Sequence, residues 1–110
     1  MKRVLSFKVS EQKLEKDPSC SFEDIVSGTK GYLRARFSFN RAWDKCACIA
    51  VFRKLLEEYP VVLKDKECEI PEEALDWDSF HVRVVGRRGD GAVFTTNEVE
   101  VKQSRGGTFV

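Results

Sequence analysis

Alternating apolar and polar residues in short segments, turn signals every ten or so positions and almost no helical periodicity predict an all-β protein. The pattern describes an immunoglobulin-like β-sandwich of about seven to eight short strands with one short helical turn; an open β-barrel is the alternative closure. Residues 80–101 say the most. Phe80, Val82 and Val84 alternate with His81 and Arg83, and beyond a glycine-rich turn Val99 and Val101 alternate with Glu98, Glu100 and Lys102. Two such runs joined by Gly89-Asp90-Gly91 read as a β-hairpin, because Asp-Gly supplies the positive φ that tight turns need.

The other elements follow along the chain. Leu5, Phe7 and Val9 alternate with Ser6, Lys8 and Ser10, giving a first strand. Residues 11–21 are polar, carry Pro18 and read as a connection across an edge or an end of the fold. Phe22, Ile25 and Val26 anchor that connection before the flexible turn Ser27-Gly28-Thr29-Lys30-Gly31. Leu33, Ala35, Phe37 and Phe39 alternate with Arg34, Arg36 and Ser38, the clearest strand pattern in the chain. Asn40-Arg41-Ala42-Trp43-Asp44 is a loop signal holding a large aromatic, and residues 46–52, apolar on both faces, read as a central strand.

Residues 53–58 either continue as a strand or bend into a turn, and Leu55-Leu56-Glu57-Glu58 is the one helical-looking piece nearby. Residues 59–63 read as a strand with Pro60 at its start or on an edge, and residues 68–70 as a short strand ended by Pro71. Pro71-Glu72-Glu73-Ala74-Leu75 has the proline and acids that favour the start of a helical turn. The tail, residues 103–110, holds Gly106-Gly107 and reads as mobile, with Phe109 and Val110 able to dock on a neighbour. Phe37, Phe39, Phe52, Val82 and Val84 are the expected core between the sheets.

The 110 residues suit one domain spanning 1–110, large enough to bury a core without metals or disulfides. A net charge of +1 supplies no phosphate-binding field, so nucleic acid is not an expected partner. No apolar run is as long as a membrane span, and the N-terminus lacks the apolar core of a signal peptide, so no membrane role is expected. Four cysteines, Cys20, Cys46, Cys48 and Cys68, are expected as reduced thiols packed as small hydrophobes. Cys46 and Cys48 share one strand face and lack the intervening residues that fold backbone amides around a metal, so neither metal nor cofactor is expected.

Catalytic signals are thin. There is one histidine, His81, and no Gly-x-Ser-x-Gly elbow, phosphate loop or His-Glu-x-x-His. Glu72 and Glu73 point apart on a helical turn, and Asp76 and Asp78 flanking Trp77 read as solvated turn acids, so the expectation is a non-enzyme. Arg34, Arg36, Arg83, Arg87 and Arg88 near aromatics suggest a single-strand groove, but the near-equal acids favour a solvated, ion-paired face. Arg88-Gly89-Asp90 has the tripeptide of integrin ligands, yet a turn wants Gly and Asp for backbone reasons alone. Trp43 and Trp77 stand beside acids, as in sugar-binding sites, though packing at the ends of a sandwich explains both.

The most useful anomaly lies on the outward face of the central strands. With Cys46, Cys48, Ala50 and Phe52 pointing inward, Ala47, Ile49 and Val51 point out; on the hairpin strand the outward set is His81, Arg83 and Val85. Ile49, Val51 and Val85 then form an apolar surface, with His81 and Arg83 beside it, and this is the expected partner-binding face unless the helical turn or the tail covers it.

From Phe37 onward the chain resembles small immunoglobulin-like proteins encoded by phages and prophages of gut Firmicutes. Phe37-Ser38-Phe39, Trp43-Asp44, Ala50-Val51-Phe52, Tyr59-Pro60-Val61-Val62-Leu63 and Cys68-Glu69-Ile70-Pro71 with Ala74-Leu75 carry it, together with Val82-Arg83-Val84-Val85-Gly86 and Thr95-Thr96-Asn97-Glu98-Val99. Their rhythm is similar to the N-terminal β-domain of phage baseplate upper proteins, in which further domains bind neighbours in the particle. The resemblance implies a structural or accessory protein of the virion tail, baseplate or capsid surface, acting by protein–protein contact, with a virion component or host protein as partner and a homo-oligomer possible. The location implied is the virion or the host bacterial cytoplasm. The alternatives are a small phage inhibitor of a host defence protein, like an anti-CRISPR, and a carbohydrate-binding module.

Overall fold

The computed structural model describes residues 2–105. In chain order its strands are β1 (Arg3–Ser10), β2 (Lys13–Lys16), β3 (Leu33–Phe39), β4 (Ala47–Lys54), β5 (Glu57–Val62), β6 (Glu67–Glu69), β7 (Ser79–Arg87), β8 (Val93–Thr95) and β9 (Val99–Lys102). Four of them form one sheet in the order β2-β1-β3-β6; the other five form a second, ordered β5-β4-β7 with β8 and β9 both paired to β7. The sheets pack as a sandwich. The chain changes sheet between β3 and β4, between β5 and β6, and between β6 and β7. Two 3-10 turns, Arg41–Trp43 and Glu72–Ala74, accompany the nine strands of the described residues, one turn and at least one strand more than the sequence predicts.

One extra strand is β2, inside the segment expected to be a bare connection. It pairs antiparallel with the second half of β1 after a turn in which Glu11 takes a φ of 54°. β1 itself lies parallel to β3, from Arg3↔Leu33 to Val9↔Phe39. A parallel pair needs a long crossover, and the residues after β2 supply it. Arg3 gathers that crossover by donating to the carbonyls of Ser21, Glu23 and Asp24, while the Asp17 amide donates to the Ser6 carbonyl. The first half of β1 is thereby covered rather than left as a raw edge.

Between the sheets, Phe7, Phe37, Phe52 and Phe80 are fully buried, with Phe37 stacked on Phe7 at 5.2 Å between ring centroids. Val82 and Val84 join them, as expected; Phe39 is only half-buried, at the end of the core beside Trp43. Ala74 and Leu75 of the helical turn belong to this core cluster. That turn closes the end of the interior and leaves the outer face of the second sheet to other means.

Three further features bear on the surface. The Leu55-Leu56 pair is a two-residue loop closing the β4–β5 hairpin at Lys54↔Glu57, the turn that is one of the two expectations for residues 53–58. Leu55 sits at φ 55°, a left-handed conformation that costs a branched side chain on the order of 1 kcal/mol, and Leu56 is 95% exposed. The return limb of the 80–101 hairpin is broken in two: the Val84 amide donates to Thr96 Oγ1, and the Asn97 side chain leaves the sheet to bond both the amide and the carbonyl of Leu14. Asn97 thus staples the edge of one sheet to the edge of the other. Finally, Gln103 is buried and bonded to the Trp77 and Asp78 carbonyls, so this part of the expected mobile tail is fixed. Residues 106–110, with Phe109 and Val110, lie outside the described residues.

Candidate functional site

The outer face of the second sheet is built by register. Ile49 stands between Val62 and Val85, Val51 between Pro60 and Arg83, and Arg53 between Glu58 and His81. The sequence therefore places Ile49, Val51, Val85, His81 and Arg83 correctly on one face. The structure divides that face in two.

One half is a charged lattice. Arg83 on β7 reaches Glu58 on β5 (2.7 Å), and Arg53 on β4 reaches Glu98 beyond β7 with two bonds of 2.8 Å. Strands are about 4.8 Å apart, so each arm crosses a whole strand to meet its acid. The Arg83 arm passes over β4 beside Val51, which explains why Val51 is buried although it lies outside the core between the sheets. Val51 is therefore no part of an open patch, against the sequence expectation. His81 Nε2 lies 3.8 Å from Glu100 at the margin of the same lattice.

The Arg53 guanidinium holds the Glu98 carboxyl below its ordinary value near 4.5; on the other sheet Arg36, with help from Arg34, does the same to Glu67. A depressed folded-state value means the contribution is fully present above the unfolded value and lost as pH falls through the folded one. The urea midpoint is expected to stay level from about pH 7 to 5 and then drop below about 4.5, with a shallower drop in Glu98→Gln. Identical pH slopes for the two proteins would show that the lattice contributes nothing.

The other half is apolar and open. Ile49 and Val85 are half-buried, while Val62 and Val93 beside them are 74% and 58% exposed. These four border a hollow of ≈ 870 Å³ at the end of the sandwich where β4 begins and β5 stops. Phe39, Trp43 and Leu63 line its depth, and Cys46 and Cys48 stand on its inner side. Sequence reasoning found Ile49 and Val85 but missed Val62 and Val93, each on a short strand whose neighbours gave no face signal.

Trp43 shapes the hollow. Its ring packs so closely on Gly86 that a Cβ there would lie 2.5 Å from Cζ3, and Phe94 meets it edge-on at 5.5 Å. Its Nε1 donates to the Glu11 carbonyl at 2.8 Å, so the polar end is satisfied. Trp43 is packing, as expected; Trp77 is 44% exposed and is not the core plug that the sequence suggested.

The remaining sequence candidates resolve differently. Arg34 and Arg36 both pair with Glu67, which offsets one of their two charges and holds both arms on the sheet. At the hairpin tip Arg88 folds back onto Asp90 (2.9 Å) and over the Phe94 ring, so the tripeptide is closed on itself rather than presented. The four cysteines are free thiols, and among the described residues no cluster of three or more His, Cys, Asp or Glu is placed to hold a metal. Burial pushes the Cys68 thiol up to about 12 and raises Cys48 as well, with Cys46 adding to the latter. An aromatic disulfide reagent is expected to titrate Cys20, Cys46 and Cys48 in the native protein and Cys68 only on unfolding. Four equivalents reacting at one rapid rate would contradict that burial.

No protein-family model and no curated protein matches this chain.

Proposed function

We propose that this chain is a non-enzymatic docking module of a phage particle, a structural or accessory protein of the tail, baseplate or capsid surface that works by protein–protein contact. The observation that carries the docking reading is the open apolar half-face of Ile49, Val62, Val85 and Val93 beside the hollow. A contiguous apolar surface next to a lattice of ion pairs is the anatomy of a contact patch with its polar border. The particle assignment is supported by the resemblance of residues 37–99 to phage immunoglobulin-like domains. Ile49 and Val85 are the anchors, and Arg83 and His81 belong to the border.

Mass spectrometry of purified particles tests the reading. The chain is expected in stoichiometric amount, and a Val62→Lys, Val93→Asp variant, changed only at exposed positions, is expected to be lost from particles while staying folded. Absence of the unmutated chain from particles, with capture of a host protein that the same variant abolishes, would favour the inhibitor reading instead.

A further inference from the structure

The Leu55-Leu56 tip closes the β4–β5 hairpin, but its two apolar side chains pack on nothing in the core. Two leucines occupy a two-residue hairpin loop whose first position takes φ 55°, where glycine or asparagine relieves the backbone, and both side chains face solvent. A strained backbone holding an exposed apolar pair is a feature that contact with another protein explains and folding does not. The same β-hairpin carries the apolar hollow at its opposite end, where β4 begins and β5 stops, roughly 20–25 Å away along the strands.

We propose that the tip of one copy seats in the hollow of the next, a head-to-tail contact between identical chains. This deepens the docking reading above, on which it rests, by naming a second copy of this chain as one occupant of the hollow. Size and chemistry agree: a hollow of ≈ 870 Å³ lined by Trp43, Ile49, Val62 and Val85 has room for two leucine side chains. Charge agrees as well. Near the tip, Glu57 and Glu73 make no ion pair among the described residues, whereas Lys54 is taken by Asp76 and Arg53 by Glu98. Around the hollow, Lys45, Lys66 and Arg87 outnumber Asp44 and Asp65. An acidic tip therefore meets a basic rim.

As a head-to-tail contact it is heterologous, and its product is an open row of subunits or a ring; a reciprocal pair in which each tip fills the other's hollow would instead stop at a two-fold dimer.

Sedimentation velocity of the full chain over a concentration series tests it. The weight-average mass of the unmutated chain is expected to rise without a plateau at the dimer. Leu56→Asp, which destroys the tip, and Val62→Lys, which destroys the hollow, are each expected to stay monomeric, with native circular dichroism. Their equimolar mixture is the decisive arm: one variant keeps an intact hollow and the other an intact tip, so the mixture is expected to form one-to-one dimers and stop there. A Leu56→Asp protein that assembles like the unmutated chain, or a mixture that stays monomeric, overturns the proposal. An unmutated chain that is monomeric throughout, yet is lost from particles in Val62→Lys and not in Leu56→Asp, overturns the self-contact and leaves the docking reading standing.

Discussion

Phe37→Ala is expected to lower the unfolding free energy by about 3–5 kcal/mol, with little change in the denaturant slope. Phe37 is 1% exposed and sits where the core is least able to relax. It is in register with Phe7 on the parallel neighbour β1, and the two rings stack with an interplanar angle of 18°. Phe22 closes over Phe7 from the crossover, edge-on at 5.3 Å. The backbone cannot fall into the space that the missing ring leaves, because β3 is laddered on both sides, to β1 and to β6, and the Phe37 amide donates to the Lys66 carbonyl. The loss therefore includes both the transfer of the ring and an unfilled cavity. A measured loss below about 1 kcal/mol would mean that the ring is not held between the sheets as described.

How much of this was legible in the sequence depends on how local each signal is. β3 and β7 were readable because a period of two repeats along them, and β4 because a short run apolar on both faces marks a central strand. The buried set at Phe37, Val82 and Val84 follows from that period, and Phe52 from the face shared with Cys46, Cys48 and Ala50. β2 has four residues and one apolar side chain, Leu14, too little to show alternation. The break between β8 and β9 was hidden for a different reason. Thr96 and Asn97 replace backbone bonds with side-chain bonds, and Asn97 finds its partner at Leu14, 83 residues away. At residues 53–58 strand and turn both stayed open, because two leucines followed by two glutamates carry helix propensity and give no turn signal; only the pairing of β4 with β5 makes Leu55-Leu56 the turn.

The docking face was half legible. Strand period alone put Ile49, Val51 and Val85 together, but it could not show that Arg83 would cross β4 and roof Val51. Long charged arms decide which apolar outer-face residues meet water, and their reach is set by partners two strands away. The hollow was not legible at all. Its lining comes from the end of β3, the 3-10 turn at Trp43, the start of β4 and the end of β5, brought together only by the sandwich closing.

Gly86→Val is expected to cost about 1–3 kcal/mol, and that cost should depend on Trp43. Gly86 is the penultimate residue of β7, paired on both sides, where a glycine ordinarily weakens a strand, and it lies on the inner face between Cys48 and Phe94. Its missing side chain makes the seat for the indole: any Cβ would lie 2.5 Å from Cζ3 and 2.8 Å from Cε3 of Trp43. The ring cannot slide away freely, because Phe39 and Phe94 flank it and its Nε1 is bonded to the Glu11 carbonyl. A valine must therefore displace the ring, breaking that bond and filling the floor of the hollow. Trp43→Ala alone should cost about 3–5 kcal/mol, as for other large aromatic truncations. In the double variant the valine occupies space the indole has vacated, so the two losses should fall short of additivity by about 0.5–3 kcal/mol, the range of directly contacting pairs. Strict additivity would mean that the two residues do not touch, and the hollow would then lose the wall on which its shape depends.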